Sequence, residues 1–138
     1  MRREVVEQTR RWLKKAERDI IAAEKLLEAE IYDYSLFHSQ QAIEKFLKAF
    51  LTYHNKPFRK THDVTFLLKL CIDGDESFKQ RLEAEVDKLY PRAVEIRYPE
   101  VEYDVSFEEA KEAIELAEKV REFVLKKLDI DENLEQLG

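Results

Sequence analysis

His38-Ser39-Gln40-Gln41-Ala42-Ile43-Glu44-Lys45-Phe46-Leu47-Lys48-Ala49-Phe50-Leu51-Thr52 is the stretch on which the reading of this chain turns. At about 100° per residue, Ser39, Ile43, Phe46, Leu47, Phe50 and Tyr53 fall on one broad, largely apolar side of a helix. His38, Gln41, Lys45, Lys48 and Thr52 share an opposite arc of roughly 80°. An imidazole, an amide and two ammonium groups in one row suit a phosphate or a nucleotide, because Lys supplies charge and Gln both donors and an acceptor. The same row also suits the solvated face of an amphipathic helix, whose long polar side chains cover apolar stems.

Upstream, Val6, Thr9, Leu13, Ala16, Ile20, Ala23 and Leu27 alternate by three and four, which predicts a first helix over about Arg3 to Ala29 with one buried seam. Trp12 flanks that seam, and Glu17, Arg18 and Asp19 read as solvated surface charge. Asp33 is the expected N-cap of the second helix, with Tyr34 and Phe37 adding aromatic bulk at its start. Asn55 and Pro57 stop it. The connection that follows carries Lys56, Arg59 and Lys60 beside His54 and His62, the strongest local positive charge in an acidic chain and a candidate phosphate-facing loop.

Asp63 caps a short, nearly all-apolar third helix, and Asp73-Gly74 closes it. After a cap at Asp75, Phe78, Leu82, Val86 and Leu89 give a fourth helix that Pro91 is expected to interrupt or restart. Residues Ala93 to Tyr98 are expected to form a last helical turn, and Glu100 to Val105 a loop. Ser106 with Glu109 is a capping box opening a fifth helix, along which Phe107, Ala110, Ile114, Ala117, Val120, Val124 and Leu128 keep one face buried. The acidic tail 129–138 leaves fraying and docking both open.

These long amphipathic helices, with only two glycines and three prolines in 138 residues, predict an all-α antiparallel bundle. Residues 1–128 read as a single domain. With 44% hydrophobic and 39% charged residues the chain folds rather than staying disordered. A net charge of −6 argues against indiscriminate nucleic-acid binding. No apolar run is long enough to span a bilayer and the start has no secretory core, so no membrane partner is expected. The one cysteine, Cys71, reads as a buried hydrophobe, and a reduced cytoplasm is the expected location.

Spacing argues against several chemistries. A carboxylate di-iron bundle needs Glu three residues before His, but Ser35, Leu51 and Arg59 hold those positions. One cysteine and scattered histidines do not make a zinc set, and two glycines cannot build a phosphate-cradling loop. The pair His62-Asp63 is similar to a phosphohydrolase metal dipeptide, yet Asp63 is better explained as a helix cap. No metal and no cofactor are expected.

Ser39-Gln40-Gln41-Ala42-Ile43-Glu44-Lys45 with Lys48-Ala49, then His62-Asp63-Val64, then Arg97-Tyr98-Pro99, resembles the HEPN (higher eukaryote and prokaryote nucleotide-binding) domain over about Arg11 to Leu128. The resemblance implies an up-and-down four-helix bundle with an additional short helix. It also implies a homodimer, and pairing with a separate minimal nucleotidyltransferase in a toxin–antitoxin-like system. Nucleotide or RNA phosphate would then meet His38, Gln41, Lys45, Lys48, Arg97 and Tyr98, with Lys56, Arg59, Lys60 and His62 as the facing loop. Pro99 fixes the chain so that Arg97 faces the Lys45/Lys48 row, while Glu44 is an alternative partner for that guanidinium. Some family members are metal-independent ribonucleases with a His four to six residues after an Arg. Here Glu102, Tyr103 and Asp104 follow Arg97 and no His does, so no catalytic residue is expected. A ribonuclease toxin and a structural dimer that regulates a partner enzyme stand as the alternatives.

Overall fold

A computed structural model describes residues 2–95, 98, 104–128 and 130. The described residues form helices α1 (Arg2–Glu28), α2 (Tyr32–Tyr53), α3 (Val64–Gly74), α4 (Ala84–Glu95) and α5 (Phe107–Lys127), and no strand. A π-helical turn, Lys79–Glu83, leads into α4. None of these helices is long and apolar enough to cross a membrane.

α1 folds as its spacing dictates: Thr9, Leu13, Ala16, Ile20 and Ala23 are its buried residues and form a single seam. Its end is a tight turn, with Ile31 N–H donating to the Leu26 carbonyl at 2.9 Å and Glu30 in the left-handed region at φ 63. α2 then runs back along α1, tied by the Ser35 hydroxyl donating to the Ala23 carbonyl at 2.7 Å. Ile31, not Asp33, stands at the N-cap. Asp33 lies inside the first turn, where its carboxylate accepts from the N–H of Tyr34.

α2 is the axis of the molecule. Fourteen of its 22 residues are buried, polar Ser35, Ser39, Gln40, Glu44 and Lys48 among them. The side-chain polar atoms of Ser39 and Gln40 have no hydrogen-bond partner among the described residues.

Beyond α2, the connection doubles back. His62 lies against Glu44, Cys71 Sγ is 3.8 Å from the Leu47 carbonyl, and Gly74 reaches Lys56, so α3 runs parallel to α2. Asp63 caps α3 as expected, accepting from the N–H of Phe66 at 3.1 Å. Cys71 is a free, buried thiol whose pKa burial pushes up. The Asp75 carboxylate accepts from Ser77 N–H and O–H at the start of the next helical run.

The π turn has a packing logic. Residues four apart drift by about 40° per step on an α-helix. A wider turn cancels part of that drift and keeps buried Phe78, Leu82 and Val86 on one face. Pro91 does not break α4, contrary to expectation. It lies on the exposed side together with Asp87, whose carbonyl loses its helical partner at a position open to solvent.

Leu36 of α2 packs with Ala93 of α4 and with Ala110 and Ala113 of α5, while Phe50, Phe78 and Phe123 meet edge-on in series at the other end, with ring centres 4.6 and 4.9 Å apart. α4 therefore runs antiparallel to α2, and α5 parallel to it. The result is an up-and-down four-helix bundle, α1-α2-α4-α5, with α3 as the additional short helix. The Ser106–Glu109 capping box opens α5 as expected. Phe107, placed on the buried face by its spacing, is 42% exposed and meets the ring of Tyr32 edge-on. The tail is outside the described residues except Ile130.

Candidate functional site

The expected polar row on α2 does not form one open stripe. It divides between two carboxylates, each shared by a lysine and a histidine. On the α1 side, Asp19 accepts from Lys45 Nζ through Oδ2, and its Oδ1 is 2.9 Å from His38 Nδ1. Asp19 is not solvated as its sequence context suggested: its side chain is 12% exposed, against 21% for Lys45 and 34% for His38. Glu17 is likewise engaged, by Arg121 of α5. Gln41 is half-buried on the same helix.

On the other side, Glu44 is 2% exposed. Its Oε2 accepts from Lys48 Nζ at 3.0 Å, and its Oε1 lies 3.0 Å from His62 Nδ1. Lys48, expected on the solvated face, is buried, with its ammonium 5.1 Å from the centre of the Trp12 ring. This inversion has a physical reason. α2 is covered on most of its surface, so its polar residues enter the interior with their counter-charges already four residues away or on a neighbouring segment.

His62 differs from the other members of both groups. Its side chain is 69% exposed while its Nδ1 is held by a buried carboxylate. A carboxylate only accepts, so the proton in that contact belongs to Nδ1 and Nε2 is left as the free ring nitrogen. The backbone beside it is fixed: Asp63 N–H donates to Thr61 Oγ1 at 3.0 Å, and Asp63 caps α3. Arg59 lies with its guanidinium 3.8 Å from the centre of the Phe66 ring, and Lys60 is exposed. Phe58 meets Trp12 at 6.4 Å, which pins the connection to α1.

The remaining expected residues lie elsewhere. Lys56 is drawn to the lower end of the bundle, beside a cleft of about 220 Å³ that Phe50, His54, Gly74, Asp75 and Lys127 also line. There burial, then Arg2, and more weakly Lys56, hold the His54 imidazole below its ordinary pKa, against the opposing pull of Asp75. Tyr98 is 52% exposed, just past the end of α4, its N–H donating to the Glu95 carbonyl. Arg97 and Pro99 lie outside the described residues, as do Glu102 and Tyr103. The alternative partner considered for Arg97, Glu44, is occupied by Lys48 and His62.

Sequence reasoning placed Asp19 in solvent and gave Glu44 only the role of a partner for Arg97. Asp19 stands three residues after Ala16 and four before Ala23, at the border of the α1 seam, and that spacing was the available signal. A groove of about 460 Å³ between α4 and α5, floored by Leu36, Leu89, Ala113 and Leu116, had no sequence signature.

Comparison with known proteins identifies the family. The HEPN domain family matches residues 9–128. The chain is 31% identical to the protein named "Putative toxin MJ1304" of Methanocaldococcus jannaschii, over 82% of this chain and 83% of that protein. The crystal structure of ST0689, described as an archaeal HEPN homologue, is similar with a TM-score of 0.61 at 24% identity, over 86% of this chain and 96% of that one. In sequence and in fold, then, this chain belongs to the HEPN domain family.

Proposed function

We propose that this chain is the HEPN half of a toxin–antitoxin-like pair: a homodimeric module that engages nucleotide or RNA phosphate and works with a separate nucleotidyltransferase subunit. The observation that carries the reading is its likeness, across about four fifths of both chains, to a protein named as a toxin. Charge accounting favours the α2–α3 connection as the phosphate face. Asp19 offsets Lys45, and Glu44 offsets Lys48, so the α2 row brings little free positive charge. Arg59 and Lys60 are exposed cations in an acidic protein, with His62 beside them. His38, Gln41 and Lys45 form a secondary contact at the flank.

Titration of ATP, GTP and a short single-stranded RNA against purified protein tests this. Arg59→Ala/Lys60→Ala should weaken binding roughly tenfold or more, and Lys45→Ala by less than about threefold. Equal affinity in all three proteins removes the site. Co-purification with a nucleotidyltransferase from the native host tests the pairing.

A second reading, a ribonuclease toxin, is favoured by one observation: His62 is an exposed imidazole oriented by a buried carboxylate, an arrangement suited to proton abstraction. Arrest of growth on expression without the partner, accompanied by RNA cleavage, would separate it from the first.

A further inference from the structure

One ion pair sets the register of α5 against α1. Arg121 of α5 meets Glu17 of α1, and the two helices run antiparallel. Seven residues make about two turns. Two turns back along α1 from Glu17 stands Arg10, and two turns on along α5 from Arg121 stands Leu128, each on the flank that faces the other helix. Arg10 is therefore level with the point where the chain leaves α5. Its Nε is buried with no hydrogen-bond partner, and its guanidinium makes no ion pair among the described residues. A buried donor left unmatched is costly, so the place calls for an acceptor.

Charge divides this seam in two. Arg3, Arg10 and Lys14 share the flank of its lower half, Arg3 being paired with Glu7 at 3.9 Å. The upper half is acidic: Glu118 of α5 has Glu24 of α1 near it, with Glu115 and Glu122 on its own helix. Burial first, then these three carboxylates, push the Glu118 pKa up, against the pull of Arg121. An acidic segment is thus repelled above and attracted below. Such a segment starts here. Leu128 is buried and Ile130 packs on the main core. Leu134 and Leu137 follow Ile130 at spacings of four and three, which puts all three on one side of a helical turn. Asp131 and Glu135, one turn apart, share the flank beside that stripe, and Glu132 falls on the far side. We propose that the segment 131–138 docks within its own chain on the lower half of the α1–α5 seam, with Asp131 and Glu135 as the counter-charges of Arg10. Eight residues reach about 12 Å as helix and about 26 Å drawn out, and Arg3 and Lys14 both lie within about 11 Å of Arg10 along α1.

Amide hydrogen exchange on the full chain tests this. In wild type the amides of 132–137 should exchange about tenfold or more slower than in a free peptide of the same sequence, and added salt should shrink the difference. Arg10→Ala and the pair Asp131→Asn/Glu135→Gln should each abolish the slowing, and combining them should add nothing further. Glu132→Gln should leave it intact. Wild-type amides that exchange as the free peptide does overturn the docking. Slowing that survives Arg10→Ala, or that Glu132→Gln removes as fully as the other two acids, overturns the pairing. A carbodiimide, which joins an amine to a carboxylate in contact with it, gives a second readout that keeps the charge: Arg10→Lys should cross-link to Asp131 or Glu135. Absence of both links overturns the pairing as well. In a mixture of isotope-labelled and unlabelled protein, each linked pair should carry a single label. Links of mixed label would make the occupant the tail of a second copy and overturn docking within one chain.

Discussion

Asp19 and Glu44 hold the same two kinds of partner, one lysine and one histidine, in unlike surroundings. Asp19 sits between α1 and α2 at 12% exposure, with both partners reaching it from the α2 flank. Glu44 is on α2 itself at 2% exposure, its lysine one turn away on the same helix and its histidine arriving from the connection. Water relieves part of the loss when a contact at Asp19 is broken. It cannot do so at Glu44, where removal of one charge strands the other. The two carboxylates therefore differ in role. Asp19 fastens a helix pair, and Glu44 sets a small interior network with one member exposed.

The largest effect expected from this contrast is at Glu44. Glu44→Leu should destabilise by about 3–5 kcal/mol, since it leaves the Lys48 ammonium buried without its anion. The double change Glu44→Leu/Lys48→Met should recover most of that loss, with a coupling energy of about 2 kcal/mol or more in chemical denaturation. Independent single and double effects would mean that the interior pair is not a unit. Asp19→Asn comes next, at about 1 kcal/mol, and added salt should reduce the difference. A cost as large as that of Glu44→Leu would erase the distinction between the two sites.

A third carboxylate–lysine pair extends the comparison to the surface. Asp75 accepts from Ser77, and from Lys127 Nζ at 2.9 Å. The Ser77 hydroxyl first, then Lys127, lower its pKa from an ordinary 3.8 to about 2. The folded value is depressed, so the stabilisation is complete above the ordinary value and is lost as pH falls from 3.8 towards 2. With solvent screening, about 1 kcal/mol is at stake. Asp75→Asn should flatten the acid dependence of the unfolding midpoint in that window. An unchanged profile would remove Asp75 as its source.

Much of the bundle was legible because α1 and α5 bury mainly one face. A three-and-four alternation from Thr9 to Ala23, or from Ala110 to Val124, states which side goes in. Local hydrogen-bond chemistry was equally readable at Asp63 and Ser106, where cap and acceptor lie within three residues. α2 was misread for the opposite reason. Periodicity assigns polar residues to water, and it has no means of showing that a neighbouring helix and a returning connection already cover that face. Lys48 went inside because Glu44 came with it, and Asp19 stayed near the seam because small Ala16 and Ala23 let α2 approach. Pro91 was read as a break from its missing N–H alone, although the exposed side of a helix tolerates that loss. The site was legible only as a set of residue types. Its division between two acids depends on long-range packing.

The return of the chain after α2 sets a length relation. From His54 back to Glu44 is ten residues of helix, a climb of about 15 Å. The connection 54–62 that makes the climb could span about 30 Å if fully drawn out. The tether is thus about twice as long as its task requires, and its slack is taken up where Phe58 rests on Trp12 and Arg59 on Phe66. Trimming or lengthening it by a residue or two before Thr61 would leave α3 and the adjoining His62 seated and move only Arg59 and Lys60 along the bundle. The placing of those two cations can therefore be retuned without rebuilding the scaffold beneath them.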